Sequence, residues 1–208
     1  MNNAWTGKQP EVSTQGAGHV RDASPADAEQ IADVHVRSWQ AAYRDLLPQE
    51  YLDRLDPADR LPRWRRTLDE TDRAAGGVLV AVADGEVCGA AWFGPSRDPG
   101  ADPEQVGELA GIYLLPEAWG RGLGRSLMAA ATERLAAAGY AQATLWVLES
   151  NARARRFYSG AGWTEDGAVK QDDRLGFAIT EVRYRRRLLR ETTVNAPRFP
   201  APALQSGR

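Results

Sequence analysis

Cysteine and histidine are scarce in this chain of 208 residues. Cys88 is the only cysteine, so no intramolecular disulfide can form, which is typical of proteins from a reducing compartment. It lies in an apolar run, where we expect a small buried side chain rather than a nucleophile. One cysteine and two histidines do not form a group with zinc-ligand spacing, so we expect no metal.

Long apolar runs and a strong net charge are also missing. No stretch of about 18 apolar residues occurs, so no membrane-spanning helix is predicted. The formal net charge is −2, and although arginines recur in residues 183–187, we expect no nucleic-acid partner. Residues 1–18 are polar and lack the apolar core of a secretory signal. Together these absences predict a cytoplasmic protein without a membrane partner.

The length and composition are typical of one globular domain. Hydrophobic residues make up 43% and charged residues 26% of the chain, which is enough for a full core. Residues 1–18, which are polar, and residues 189–208, which contain several prolines, are expected to be poorly ordered tails. The folded domain is therefore expected to span residues 19–188.

A strand that leads into a glycine-rich helix start is the most informative segment. An apolar stretch ends at Leu115, and Gly120, Gly122 and Gly124 follow it. The first N–H groups of a helix have no internal partner and carry partial positive charge, and glycine lets an anion approach the backbone closely. The segment therefore predicts a phosphate-binding site at residues 120–126.

Two common phosphate motifs do not fit these glycines. A nucleoside-triphosphate loop needs a lysine after its last glycine, but the chain has only Lys8 and Lys170. The dinucleotide fingerprint needs a glycine where Arg125 or Leu127 stands. It also needs an acidic residue about 20 positions later, and residues 142–148 contain none. We therefore expect a different phosphate compound as the ligand.

The pattern G-x-G-x-G resembles the pyrophosphate motif of the GCN5-related N-acetyltransferases, the GNAT family, which is usually written Q/R-x-x-G-x-G/A. Gly122 and Gly124 fill the two glycine positions, and Trp119 stands at the first position. The first position presents mainly its backbone, so the departure from the motif is mild.

Two further segments carry the same resemblance. The segment from Asn151 to Trp163 matches the family's pattern N-x-x-A-x-x-F-Y-x-x-x-G-F/W at every stated position. Residues 35–52 are similar to the first helices of many bacterial members. In this order along the chain, the three segments extend the resemblance over roughly residues 19–188.

The order of predicted elements is mixed α/β, with a helical hairpin before the sheet. The resemblance implies a central, mostly antiparallel sheet of six to seven strands flanked by helices, the acyl-coenzyme A N-acyltransferase fold. A helix crosses between strands 107–114 and 144–148, so these two are expected to be parallel. The resemblance further implies that this pair splays apart into a V-shaped cleft.

The resemblance implies acetyl-coenzyme A as cosubstrate in this cleft. Its pyrophosphate is expected on the glycine segment, and its pantetheine arm is expected to pair with the first strand of the V. The expected contact residues are Ile112, Tyr113, Leu114, Trp119, Gly120, Arg121, Gly122, Leu123, Gly124, Arg125, Ser126, Asn151, Arg155 and Tyr158.

Acyl transfer to an amine needs a base, a donor for the developing oxyanion and an acid for the leaving thiolate. The resemblance assigns the acid to the hydroxyl of Tyr158 and the oxyanion donor to the N–H of Leu114. Glu108 is the leading candidate for the base, and a base that acts through a water molecule is the other possibility. Glu149 and His35 are further alternatives. A surface carboxylate is an equally good interpretation of Glu108, and a core residue is a simpler one for His35.

Trp39, Tyr43 and Tyr51 lie where the family usually builds its acceptor pocket, although core packing also explains Trp39. We therefore expect an N-acetyltransferase that modifies a primary amine of a small molecule or a peptide. A non-catalytic acyl-coenzyme A sensor and an acetyltransferase for a partner protein's lysine or N-terminus are the alternatives. A homodimer is left open.

Overall fold

The computed structural model describes residues 18–70 and 74–188, so the expected tails lie outside the described residues except for Gly18. The strands are β1 (His19–Asp22), β2 (Gly77–Ala83), β3 (Glu86–Pro95), β4 (Val106–Leu114), β5 (Gln142–Leu148), β6 (Thr164–Asp172) and β7 (Ile179–Arg187). The helices are α1 (Ala28–Ala42), α2 (Gln49–Asp53), α3 (Pro57–Glu70), α4 (Leu123–Ala137) and α5 (Ala152–Gly160).

The seven strands of the described residues form one sheet in the order β1-β2-β3-β4-β5-β7-β6. Neighbouring strands are antiparallel except for β4 and β5, which are connected through α4 and run parallel. The predicted mixed α/β class, the mostly antiparallel sheet and its single parallel pair are thus confirmed.

The parallel strands β4 and β5 pair only at their beginnings. Residues 106–108 pair with residues 142–144. Both strands then continue, to Leu114 and Leu148, with no further paired residues between them in the described chain. The two strands therefore part as a V, and one edge of β4 is left without a hydrogen-bond ladder.

A β-bulge interrupts β4 close to the point where it leaves β5. Trp92 of β3 pairs with Gly111, but the next residue, Phe93, pairs with Leu109, so Ala110 has no partner in the ladder. An extra residue exchanges the faces that alternate side chains occupy and bends the strand. The bulge thus accompanies the divergence of the two strands.

Helices cover both faces of the sheet. On one face α1 packs on β3 and β4, and His35 contacts the rings of Trp92 and Tyr113. On the other face α4 packs so closely that Leu127 lies 3.1 Å from where a Cβ of Gly89 would stand. The absence of a side chain at Gly89 allows this approach of helix and sheet.

A buried histidine lies in the aromatic cluster beneath α1. His35 is 6% exposed, stacks on Tyr113 with 4.5 Å between ring centroids, and accepts a hydrogen bond at Nδ1 from Trp64 Nε1 at 3.2 Å. Burial, followed by the charges of Arg60 and Arg63, lowers its pKa to about 3. His35 is therefore a neutral core residue in this structure.

Acidification from pH 7 to pH 5 should destabilise the protein through His35. The unfolded chain binds a proton at His35 below the ordinary pKa of 6.5, whereas the folded protein does so only near pH 3. The free energy of unfolding therefore decreases as the pH is lowered through this window. We expect a loss of about 2 kcal/mol between pH 7 and pH 5, measured by urea unfolding. His35→Gln keeps an acceptor for Trp64 and should remove most of this dependence.

The other histidine, His19, provides a matched control because it is exposed on β1. His19→Gln should keep the pH dependence of the wild type. Asp27, whose pKa is lowered to about 2 chiefly by Arg21, loses its contribution only below its ordinary pKa of 3.8, outside this window. Equal slopes for the wild type and the His35→Gln variant would contradict the assignment.

Candidate active site

The V between β4 and β5 is an open cleft with a volume of about 460 Å³. It extends from the turn before α4, between the ends of the two strands, to β7, and α1 and α5 border it. The lining residues are Ser38, Trp39, Ala42, Tyr43, Ile112, Tyr113, Leu114, Trp119, Gly120, Gly122, Gly124, Arg125, Trp146, Val147, Leu148, Asn151, Arg153, Ala154, Phe157, Tyr158 and Glu181.

The cleft edge of β4 presents backbone groups to this space. The N–H of Leu115 donates to Cys88 O of β3 at 2.9 Å, so by alternation the N–H of Leu114 points to the opposite edge, into the cleft. The backbone groups of Ile112 lie on the same edge, two residues earlier. Trp119 Nε1 donates to Leu114 O at 2.8 Å, which leaves the N–H of Leu114 as the group available to a ligand.

The turn before α4 presents a second set of N–H groups. Gly120 and Gly122 have φ angles of 76° and 85°, a left-handed backbone that glycine adopts without strain, and Gly122 is the N-cap. The first helical hydrogen bond runs from Ser126 N–H to Gly122 O at 3.1 Å. The amides of residues 123–125 thus have no partner within the helix, and the helix dipole adds positive charge there.

Three residues predicted at the phosphate are not in the cleft lining. Arg121 turns to the outer side, where its Nη2 lies 3.8 Å from the carboxylate of Asp84. Leu123 packs in the core and is 5% exposed, so only its backbone is available. Ser126 uses its N–H within the helix, and its Oγ lies 3.4 Å from Gly122 O, so both of its polar groups are engaged.

Arg153, which was not predicted, lines the cleft, whereas the predicted Arg155 does not. The guanidinium of Arg153 lies 3.4 Å from the centroid of the Trp119 ring, a cation–π contact. Arg155 donates to Glu165 at 2.8 Å and to Glu149 O at 3.1 Å. The lining positions 153, 154, 157 and 158 form one face of α5, and that helical pattern was the signal for Arg153.

Asn151 caps α5 and also lines the cleft. Its Oδ1 accepts the N–H of Ala154 at 3.0 Å, and the residue is 7% exposed. The side-chain oxygen therefore serves the helix, while the amide NH₂ group can donate to a ligand. Asn151 can therefore cap the helix and contact the coenzyme at the same time.

Three phenol groups, those of Tyr43, Tyr113 and Tyr158, line the middle of the cleft. Burial raises the pKa of all three, and for Tyr43 it does so to about 12. The presence of Tyr43 further raises the pKa of the other two, because charge on one phenol opposes charge on the next. At neutral pH each is an uncharged hydroxyl that can donate a hydrogen bond or a proton.

Glu108, the predicted base, lies at the apex of the V and is not in the cleft lining. It is 5% exposed beneath the loop that joins β3 and β4. Its carboxylate accepts three hydrogen bonds from Arg97, from the backbone N–H at 3.0 Å, from Nε at 3.0 Å and from Nη2 at 2.6 Å. These contacts fasten the loop to β4 and occupy the carboxylate.

The cleft does contain a carboxylate, although not one that was predicted. Glu149 is exposed at the end of β5 and is not in the lining, and His35 lies in the aromatic core. Among the described lining residues the one carboxylate is Glu181 of β7, which pairs with Leu148 of β5. Its position depends on the pairing of β5 with β7, and the sequence pattern alone carries no signal for that register.

Two of the three predicted acceptor residues lie in the cleft. Trp39 and Tyr43 line it with their ring centroids 4.9 Å apart. Tyr51 instead packs edge-on against Phe177 at 5.2 Å, in a small apolar cluster below α2. Trp146 of β5, which was not predicted, completes this end of the cleft, and the alternation of side chains along β5 was the signal for it.

Residues 18–70 and 74–188 contain no group of three or more histidine, cysteine, aspartate or glutamate side chains that could hold a metal ion. Over the same residues no helix combines the length and apolar character needed to cross a membrane.

A mixed sheet whose one parallel pair, among the described strands, parts beside a helix N-terminus is the arrangement that the resemblance implied for an N-acetyltransferase, and comparison with known proteins agrees. Residues 36–163 match the family described as the acetyltransferase (GNAT) family. The chain is 38% identical over 135 residues to the uncharacterized N-acetyltransferase YuaI of Bacillus subtilis (strain 168), covering 64% of this chain and 72% of that protein.

Solved structures have the same fold. That of yncA from Salmonella typhimurium, determined with acetyl-CoA, has a TM-score of 0.62 at 22% identity and covers 87% of this chain and 99% of that one. The PaiA N-acetyltransferase of Thermoplasma acidophilum, in complex with coenzyme A, has a TM-score of 0.59 at 20% identity, with coverage of 83% and 99%.

The chain belongs to the GNAT acetyltransferase family, as its motifs predicted. Its enzyme class is that of an acetyl-coenzyme A-dependent N-acetyltransferase.

Replacement of Gly124 should weaken coenzyme binding without harm to the fold. A Cβ there would meet Phe157 at 3.7 Å and Leu114 at 3.8 Å, which are ordinary contacts, and would stand in the cleft beside the free amides. Alanine also favours a helix over glycine by about 1 kcal/mol. We expect Gly124→Ala to keep or raise the melting temperature and to weaken coenzyme A binding about tenfold by calorimetry.

Ser126→Ala is the matched control, because Ser126 lies two positions along α4 and its polar groups are engaged with Gly122. This variant should bind coenzyme A as the wild type does. If Gly124→Ala also bound coenzyme A with unchanged affinity, the phosphate would not sit at the start of α4.

Proposed function

We propose that the protein transfers the acetyl group of acetyl-coenzyme A to a primary amine by direct attack, with both substrates bound at once. One observation carries this function. A single cleft contains the N–H of Leu114 and the uncharged hydroxyl of Tyr158, between an anion-binding end at α4 and an acidic end at Glu181. An acyl donor and an amine entering from opposite ends can meet beside these two groups.

The donor half of the cleft fits the cosubstrate. The amides of residues 123–125, with Arg125 and Arg153, suit a pyrophosphate because they combine free N–H donors with positive charge. The backbone of Ile112 and the side-chain amide of Asn151 suit the peptide-like groups of the pantetheine arm. Proteins of the same fold solved with coenzyme A or acetyl-CoA support this assignment.

The acceptor has to lose a proton before it attacks, because an alkyl ammonium has a pKa near ~10. Either Glu108 takes this proton or a base acts through water. The three hydrogen bonds from Arg97 to Glu108 favour the second route, in which water in the open cleft carries the proton to bulk solvent. In this mechanism Glu108 keeps the β3–β4 loop in place.

Attack of the amine nitrogen on the thioester carbonyl places negative charge on its oxygen, and the N–H of Leu114 is the donor assigned to that oxygen. The carbon–sulfur bond then breaks. Tyr158 is uncharged at neutral pH, since burial raises the pKa of its phenol, and it gives its proton to the leaving sulfur as the carbon–sulfur bond breaks. The attacking nitrogen loses its second proton as it becomes the amide nitrogen, and a proton from this nitrogen or from solvent returns the phenol to its neutral form. The products are the amide and the free coenzyme thiol.

The two alternative functions differ in what they require of the cleft. A non-catalytic acyl-coenzyme A sensor uses only the donor half and does not depend on the hydroxyl of Tyr158. An acetyltransferase for a protein's lysine or N-terminus uses the same chemistry and differs in what the acidic end accepts. Turnover of variants at Tyr158 therefore separates the first alternative from the proposed enzyme.

Removal of the Tyr158 hydroxyl should slow the chemical step. We expect Tyr158→Phe to lower kcat by about 100-fold and to leave the KM of acetyl-CoA nearly unchanged, followed as release of free thiol. Tyr184→Phe is the matched control, because Tyr184 is buried on β7, 6.1 Å from Tyr158 between ring centroids, and is not in the cleft lining. Full turnover by the Tyr158→Phe variant would remove this residue from the mechanism.

The role of Glu108 is tested by comparing it with its partner. Glu108→Gln and Arg97→Gln both remove the ion pair between these two side chains, whereas the backbone N–H of residue 97 can still donate to residue 108, so both should lower kcat/KM by a similar factor of less than about tenfold. A base would behave differently. A loss of about 100-fold in the Glu108→Gln variant alone, together with loss of the acidic limb of the pH–rate profile, would make Glu108 the base.

A further inference from the structure

The charged side chains that line the two ends of the cleft have opposite sign. Arg125 and Arg153 line the end near α4. Glu181 lines the other end and is the one carboxylate among the described lining residues. This asymmetry suits an anionic donor at one end and a cationic acceptor at the other.

Glu181 shares its end of the cleft with the rings of Trp146 and Tyr43. Glu181 pairs with Leu148, which follows Trp146 by two residues on β5, so the two side chains lie on the same face of the sheet. Burial and then the charge of Glu181 raise the pKa of Tyr43 to about 12, so the carboxylate acts on groups inside the cleft. A carboxylate beside aromatic ring faces is a typical site for an ammonium group.

An ammonium group already occupies this position. Lys170 of β6 is opposite Glu181 in the sheet, and its Nζ lies 3.1 Å from the Glu181 Oε2 and 4.3 Å from the centroid of the Trp146 ring. The only other lysine in the chain is Lys8, whereas arginine is abundant. Lys170 thus makes the two contacts, one with an anion and one with a ring face, that a primary amine ligand would make.

Trp146 is held in place by contacts that do not involve Lys170. Its Nε1 donates to Asp98 at 2.6 Å, and Arg183 in turn binds Asp98 at 2.9 Å and Asp166 at 3.0 Å. The ring therefore keeps its orientation when the lysine leaves. The side chain of Lys170 is 36% exposed, and an ion pair so close to solvent is easily displaced.

We propose that Glu181 and Trp146 form the subsite for the acceptor's ammonium group, and that Lys170 fills this subsite until the acceptor displaces it. The acceptor is then a primary amine at the end of an unbranched alkyl chain. Such an amine can come from a free alkyl amine or from a lysine side chain. The chemistry of transfer rests on the proposed function, whereas the binding of the ammonium does not.

Nuclear magnetic resonance of labelled lysines tests the displacement directly. Reductive methylation with ¹³C-formaldehyde labels Lys8, Lys170 and the N-terminus and keeps their charge. The signal of Lys170, assigned by its loss in Lys170→Arg, should lie upfield of its position in the urea-unfolded protein because of the Trp146 ring. Addition of n-butylammonium should move it saturably toward that unfolded position, whereas n-butanol, of the same length but uncharged, should not.

Glu181→Gln is the decisive variant. Its Lys170 signal should lie near the position seen in the urea-unfolded protein and should no longer respond to n-butylammonium. A wild-type Lys170 signal that does not move with n-butylammonium, or that moves equally with n-butanol, would overturn the proposal of an ammonium subsite. A parallel titration with Nα-acetyl-lysine amide distinguishes a free alkyl amine from a lysine side chain as the acceptor. The compound that saturates the shift at the lower concentration identifies the preferred acceptor.

Steady-state kinetics give a second measurement. Lys170→Met should lower the KM of n-butylamine by up to about fivefold and leave the KM of acetyl-CoA unchanged. Arg174→Met, the matched control, removes an equal charge from the same hairpin, but Arg174 pairs with Asp172, so neither KM should change. A higher amine KM in Lys170→Met would contradict the displacement.

The two proposals fail in distinguishable ways. The NMR titration needs no acetyl-CoA, so absence of turnover with every amine would count against the proposed function and leave the ammonium subsite standing. Normal turnover together with a Lys170 signal that never moves would count against the ammonium subsite and leave the proposed function standing.

Discussion

The parting of β4 and β5 after three residue pairs is the constraint on which the whole site depends. A continuous ladder would have used the cleft-edge N–H groups of β4, including that of Leu114. Because parallel strands need a crossover connection, the helix that joins them must begin near the end of β4. The unpaired strand edge and the unpaired amides of α4 therefore arise from one topological feature, and they lie at the same opening.

Most of the fold could be predicted because its signals are local. Asp84 and Gly85, with φ angles of 54° and 86°, make the hairpin turn between β2 and β3, and the pair Asp-Gly is a typical sequence signal for such a turn. The central strand was expected at residues 107–114 and spans Val106–Leu114. The glycine segment could likewise be placed at a helix start, because a left-handed cap and free amides belong to consecutive residues.

The acceptor half of the cleft was less predictable, because its residues come from strands that are distant in the sequence. Trp146 and Glu181 meet only through the pairing of β5 with β7. A local pattern also cannot reveal which partner engages a charged residue. Glu108 is bound by Arg97, and Arg155 by Glu165, and neither partner was part of the motif that drew attention to these residues.

The β3–β4 loop has a consequence for the shape of the enzyme. Two consecutive residues of this loop bind the two arms of the V, since Arg97 contacts Glu108 of β4 and Asp98 contacts Trp146 of β5. The loop thus connects the two arms of the V through side-chain contacts, although none of its residues lines the cleft. A change in the length of this segment would alter the distance between donor and acceptor without replacing any residue that touches either.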